Sequence, residues 1–200
     1  MSSQTPVCCC PACARGWRQR ALEADDVRAL LWAEVRRLVT GGDLAATDDR
    51  LPAEVSAALL ATRQRATDEL RRSVLAEIGA DHRVVLHGAV DPWATGALPG
   101  LTPDAASEVD SVVLQCWNPG EKSISDVAAA RSEVPSEVDI DAYVTAVAAQ
   151  PVGMSDHVRG LGSAGASELH LYHLGLAGPA RWADLRAAVR QAHAAEPAWR

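Results

Sequence analysis

Three cysteines near the amino terminus have the spacing of a metal-binding motif. Cys8, Cys10 and Cys13 form a Cys-x-Cys-x-x-Cys pattern that contains Pro11. Thiolates at this spacing can bind one tetrahedral zinc ion from a tight turn, with a fourth ligand from elsewhere in the chain. We therefore expect either no cofactor or a structural zinc, the alternative being a remnant motif that binds no metal. The candidates for the fourth ligand are Cys116, His82 and His87.

A second set of side chains follows four short apolar runs in the later part of the chain. Aromatic ring faces stack on the C–H surfaces of sugars, and neighbouring polar groups bond sugar hydroxyls. The set therefore predicts a small-molecule site, in particular a carbohydrate site. The expected substrate contacts are Trp93, Trp117, Asn118, Tyr143, Tyr172 and His173, with Thr145 beside them.

Asp91 and His87 are the candidate catalytic residues of this site, because a carboxyl group or an imidazole can act as a general acid or base. Two structural alternatives stay open, because Asp91-Pro92 is a common way to begin a turn and strand-end aromatic residues often close a core. A nucleophilic Cys116 with His87 or His173 as its base is a further option, although a buried strand-end thiol is usually inert. Three further histidines, His82, His157 and His193, are expected on the surface.

The elements that must position these side chains recur at roughly 28-residue intervals, a spacing typical of one β/α unit. Val-, Leu- and Tyr-rich runs bounded by Gly, Pro, Asp or Asn predict strands at 83–87, 111–117, 140–144 and 168–173. Helices are predicted between and after them at 104–109, 125–133, 155–164 and 179–194. Strands that alternate with helices indicate parallel pairing and right-handed crossovers.

Two helices without an intervening strand precede this repeat. Apolar residues at helical spacing predict them at 25–40 and 51–78. The fold class is thus α/β, with four consecutive β/α units, half of a (β/α)8 TIM-like barrel, behind two helices. The expected organisation is a polar leader and Cys-rich turn at 1–16, a two-helix segment at 17–79 and a half-barrel at 80–200, packed as one domain.

Composition restricts the classes of function. The formal net charge is -7 and the pI is about 5.3, which argues against a nucleic-acid partner because no basic patch neutralises phosphates. Neither a signal peptide nor a membrane span is predicted, so the expected location is cytoplasmic and the five cysteines are expected to be reduced thiols.

Four segments together resemble a group of uncharacterised actinobacterial, alanine-rich TIM-barrel proteins that are distantly similar to glycoside hydrolases. These segments are residues 8–13, 87–93, 115–117 and 168–177. The cysteine motif is also similar to that of barrel β-galactosidases of glycoside hydrolase family forty-two, where it follows the fourth strand and helps to hold a structural zinc. The resemblance implies that this chain contains strands five to eight of such a barrel.

The same resemblance implies an incomplete catalyst. In such hydrolases the general acid ends the fourth strand, which has no counterpart here, and the nucleophilic glutamate ends the seventh strand, where this chain has Tyr143-Val144-Thr145. The expected function is therefore a TIM-barrel-like, carbohydrate-active protein that is glycoside hydrolase-like if it is an enzyme. The alternatives are a noncatalytic truncated or split-gene fragment, completed by a partner half or by self-association as a homo-oligomer, and a small zinc-stabilised interaction module.

Overall fold

A computed structural model describes residues 8–42, 50–79, 81–96, 98–117, 119–147 and 153–194, which form an α/β structure with a four-stranded parallel sheet and six α-helices. These residues divide into two compact units. The first unit comprises the described residues up to Gly79 together with Pro92–Thr95. The second unit comprises the described residues from Asp81 to Asp91 and from Gly96 onward. The packing of the two-helix segment (17–79) and the half-barrel (80–200) as one domain stays a prediction.

The first unit contains three helices: α1 (Pro11–Arg18), α2 (Ala24–Gly41) and α3 (Ala53–Ile78). The predictions for α2 and α3 are confirmed to within two residues. The tight turn predicted around Pro11 is wrong, because Pro11 is the first residue of α1. Proline suits this position, since its ring fixes a helical φ and the first helical N–H needs no intrahelical acceptor.

The core of the first unit is small. Trp17 from α1 is only 2% exposed and packs with Val27, Val55 and Leu59. The apolar stripe predicted along α3 is buried only in the amino-terminal half of the helix, because Leu70 is 67% exposed.

The second unit contains β1 (Val85–Gly88), β2 (Ser111–Gln115), β3 (Asp139–Thr145) and β4 (Glu168–Tyr172). Its helices are α4 (Glu121–Glu133), α5 (Met154–Ser163) and α6 (Trp182–Ala194). The predicted strands and these helices are confirmed in type and in order. The helix predicted at 104–109 is instead a single 3₁₀ turn, Ala106–Glu108, and the one predicted from residue 179 begins as a 3₁₀ turn, Pro179–Arg181.

The strands lie in the order β1-β2-β3-β4, and each pairs with its neighbour in parallel. Alternate strand residues form one apolar face, which packs against α4, α5 and α6. The strand residues of that face include Leu86, Val112, Leu114, Ile140, Ala142, Val144, Leu169 and Leu171. Since all three helices pack on this face, the other alternate residues of the strands form a second face, called the polar face below. None of the helices in the described part of the chain combines the length and the apolar composition that a bilayer crossing needs.

Candidate functional site

The polar face is built by strict alternation in β3 and β4. Apolar residues of these strands pack toward the helices, so the residues between them must point the other way. The pairing register places Asp141 beside Glu168, Tyr143 beside His170 and Thr145 beside Tyr172. The polar face therefore carries carboxylates near the amino ends of the strands and aromatic rings near the carboxyl ends.

Five ring-bearing residues, called the aromatic group, meet at the carboxyl ends of the strands. The Trp117 and Tyr172 rings stack, with centroids 5.4 Å apart and planes 11° apart. Tyr143 lies 4.8 Å from Tyr172, and the His87 ring meets Tyr143 edge-on at 5.2 Å. The His173 ring centroid is 3.5 Å from that of Tyr172. The structure thus brings together five of the residues that the sequence singled out.

The other residues that the sequence singled out are not part of the aromatic group, although Thr145 is the register partner of Tyr172. Trp93 belongs to the first unit, where it packs against the Trp17 cluster and its carbonyl accepts a 2.8 Å hydrogen bond from Arg63. Asp91 is an exposed loop residue after β1. Thr145 is half-buried, and its hydroxyl oxygen accepts the N–H of Val147 at 3.3 Å. The prediction for Asn118 falls outside the described residues.

Cys116 is not an activated nucleophile. The residue is fully buried, and burial raises the pKa of its thiol to about 12. At neutral pH the group is therefore a thiol, which is the inert form.

His157 is 4% exposed, so the prediction of a surface position for this residue is wrong. Its Nε2 atom contacts the backbone carbonyl oxygen of Cys116.

A polar cluster lies toward the amino ends of the strands on the same face. Asp141 is fully buried, and its Oδ2 accepts a hydrogen bond from the Ser111 hydroxyl. The Nε2 atom of His170 lies 3.5 Å from Oδ2 of Asp141 and 3.6 Å from Oε2 of Glu168. Arg83 donates from Nη2 to the other Glu168 oxygen, Oε1, at 3.1 Å.

Burial sets the electrostatics of this face. It raises the pKa of Asp141, an effect that the Ser111 hydrogen bond opposes and the charge of Glu168 reinforces. Burial also lowers the pKa of His87, helped by the nearby His170, and raises the pKa of Tyr143. Each shift favours the uncharged form of the group concerned, as desolvation does.

The sequence interpretation missed the polar cluster because it treated the strands as apolar runs and assigned chemistry to their ends. The missed residues are Arg83, Ser111, Asp141, Glu168 and His170. A signal was present, since polar residues occupy every second position of β3, from Asp139 to Thr145, and of β4, from Glu168 to Tyr172. Such alternation is typical of a strand with two different faces.

The amino-terminal cysteines do converge. The Sγ atoms of Cys8, Cys10 and Cys13 all lie within 4.8 Å of one another. Cys10 is the N-cap of α1, and the backbone N–H of Cys13, together with the neighbouring thiols, lowers the pKa of Cys10 to about 7. Burial, followed by the neighbouring thiols, raises the pKa of Cys13 to about 12. Three sulfur atoms this close together make a possible three-cysteine site, since zinc is commonly bound by cysteine sulfur.

Comparison of the chain with protein-family models, with curated proteins and with solved structures finds no match.

Proposed function

We propose that this chain binds a carbohydrate through the aromatic group. The observation that carries the proposal is the meeting of Trp117, Tyr143 and Tyr172 at the carboxyl ends of three parallel strands. The carboxyl edge of a parallel sheet is where α/β folds place their ligands. All three side chains are half-buried, so they combine a fixed position with some accessible ring surface.

Sugars suit this surface because they have both C–H faces and hydroxyl groups. A pyranose C–H face packs on an indole or phenol ring, while the polar tips of such side chains bond hydroxyls. Exposed Gln115 at the end of β2 and exposed His173 after β4 supply further polar groups at this edge. The site is thus amphipathic in the way that carbohydrate recognition requires.

The fold proposal that accompanies this function is half of a (β/α)8 barrel, similar to the carboxyl-terminal half of a glycoside hydrolase-like barrel. Three observations support it, of which the first two are the sequential strand order and the placement of all three helices on one face. The third is that the His87 ring lies 5.2 Å from Tyr143 although β2 separates their strands. Strands two apart are roughly 9.6 Å apart in a sheet, so side chains that converge over β2 fit the interior of a closing barrel.

Completion of that barrel requires four more strands, which a second copy of this chain or a separate half would supply. β1 and β4 are the two edges of the described sheet, and the unpaired N–H and C=O groups of an edge strand can pair with another chain. Light scattering after size-exclusion chromatography tests self-completion, for which we expect a dimer. A stable, folded monomer would rule out completion by a second copy.

We assign binding rather than turnover to this chain. Glycoside hydrolysis needs two carboxyl groups on either side of the bond that is cleaved. Asp91, the carboxylate proposed for catalysis with His87, is an exposed residue in the loop after β1. Turnover by Asp91 and His87 would therefore depend on a second carboxyl group from the completing half.

Isothermal titration with a panel of mono- and oligosaccharides tests the binding proposal. We expect Trp117→Ala and Tyr172→Ala each to weaken binding by at least about 10-fold, since stacking aromatic side chains carry much of such an interaction. Trp32→Ala is the matched control, because Trp32 is 59% exposed on α2 of the first unit. Equal affinity in W117A, W32A and the unmodified chain, or no binding of any sugar, would disprove the proposal.

A further inference from the structure

We infer that Asp141, Glu168 and His170 form a binding site for a divalent transition-metal cation, of which Zn²⁺ is the best-fitting representative. The site lies on the polar face and is separate from the cysteine cluster. It does not depend on the carbohydrate proposal, because neither its residues nor its chemistry requires a sugar.

The first argument is geometric. One ligand atom from each of the three side chains lies within 4.8 Å of the other two. His170 Nε2 is 3.5 Å from the Asp141 carboxylate and 3.6 Å from that of Glu168. Two ligands at about 2.1 Å from a tetrahedral cation are themselves about 3.4 Å apart. The three side chains therefore need only small adjustments to bind one ion.

The second argument concerns unsatisfied atoms. Within the part of the chain that the structure describes, Oδ1 of the fully buried Asp141 has no hydrogen-bond partner, and neither does the buried Nε2 of His170. Buried polar atoms almost always have a partner, so two unpartnered atoms on side chains of one cluster need a specific explanation. A cation between them supplies that partner to both side chains.

The contacts around the cluster agree with metal binding. Arg83 binds Oε1 of Glu168, while Oε2 is the oxygen that faces His170. Ser111 donates its hydroxyl proton to Oδ2 of Asp141, the oxygen that also lies 3.5 Å from His170 Nε2, and so fixes the orientation of that carboxylate. Metal ligands are commonly oriented by such outer hydrogen bonds. The side chains of Glu168 and His170 are each 31% exposed, so a cation can enter and keep one position for water or a small ligand.

An ion pair alone explains the cluster less well. A protonated His170 bound to either carboxylate would form a charge-assisted hydrogen bond of about 2.7–2.9 Å. The observed separations of 3.5 and 3.6 Å are too long for such bonds. These separations match the distance between two ligand atoms of one ion better than the distance between a hydrogen-bond donor and its acceptor.

The test uses the full chain with the cysteine cluster removed, C8S/C10S/C13S, so that Zn²⁺ has no thiolates to bind there. Calorimetric titration of this host with Zn²⁺ at pH 7 should show about one site per chain. Glu168→Gln and His170→Gln in the same host should each weaken Zn²⁺ binding by at least about 10-fold. The matched controls are E133Q and H193Q, which change exposed residues of α4 and α6 and should bind as the host does.

Far-UV circular dichroism establishes that each variant is folded. X-ray absorption of the zinc-loaded host provides a readout that needs no further substitution, and it should show oxygen and nitrogen ligands with imidazole scattering. The inference is overturned if the host binds no Zn²⁺, if folded E168Q and H170Q both bind as tightly as the host, or if the absorption spectrum lacks imidazole.

Discussion

The Nε2 atom of His157 in α5 lies 3.1 Å from the carbonyl oxygen of Cys116, the residue that follows β2. A carbonyl accepts and cannot donate, so Nε2 of this imidazole carries a proton. The Nδ1 atom of the same ring is buried and has no hydrogen-bond partner among the described residues. This contact therefore connects α5 to the carboxyl end of β2 through a buried imidazole.

The first prediction concerns stability at low pH. Burial lowers the pKa of folded His157 below its ordinary value of 6.5. Below about pH 6.5 the unfolded chain binds a proton that the folded chain does not, so the free energy of unfolding falls as the pH falls. One such group contributes a slope of at most about 1.4 kcal/mol per pH unit. Urea denaturation at pH 7, 6 and 5 measures this slope.

His157→Gln should reduce that slope, because the glutamine amide can still donate to the Cys116 carbonyl but does not titrate. His82→Gln is the control, since His82 is exposed and the variant should keep the slope of the unmodified chain. The same slope in H157Q, H82Q and the unmodified chain would show that His157 is protonated as easily in the folded state as in the unfolded state.

The second prediction concerns the packing of β1. A Cβ atom on Gly88 would lie 2.5 Å from Cδ2 and 2.8 Å from Cγ of Leu101. Because Cγ is not the free end of the side chain, rotation of Leu101 alone does not relieve the overlap. We expect Gly88→Ala to destabilise the chain by about 1–3 kcal/mol, the usual cost of overpacking, as measured by urea denaturation.

Gly175→Ala is the matched control for this substitution. A Cβ atom on Gly175 would have no heavy atom of the described segments within 4 Å, so we expect a change of less than about 0.5 kcal/mol. If G88A were as stable as G175A, the close approach of β1 to Leu101 would not exist in solution.

The third prediction concerns the cysteine cluster, which we propose as a structural zinc site. Protein purified without chelators should contain zinc, and Cys10→Ser should lower the content by about one atom per chain, as measured by elemental mass spectrometry. Cys9→Ser is the control, because Cys9 is exposed and is not among the three converging thiols. Identical zinc content in C9S, C10S and the unmodified chain would exclude this site.

Local pattern was sufficient for the strands of the second unit. Each strand is a short β-branched or aromatic run bounded by turn-forming residues, and each was predicted to within two or three residues of its observed ends. Because the strands are parallel, their carboxyl ends share one edge of the sheet. This is why Trp117, Tyr143, Tyr172 and His173 could be expected to meet, and they do.

The same reasoning failed where position depends on packing. Trp93 follows β1 in sequence, yet it packs in the first unit, where its carbonyl accepts a hydrogen bond from Arg63. A residue's place after a strand fixes neither the direction of the loop nor the core against which its side chain is buried. His157 was similarly misplaced, because a polar side chain in a helix is buried when a carbonyl at the end of another element can accept its proton.

The order and spacing of apolar residues in this sequence determined an α/β chain with parallel strands, since hydrophobic periodicity shows which face of each helix or strand is buried. The tertiary structure alone decided which polar side chains face one another. Ser111, Asp141, Glu168 and His170 come from three different strands, and only the pairing register and a common sheet face bring their atoms together. Register is a property of the pairing between strands, so the sequence of any single strand does not contain it.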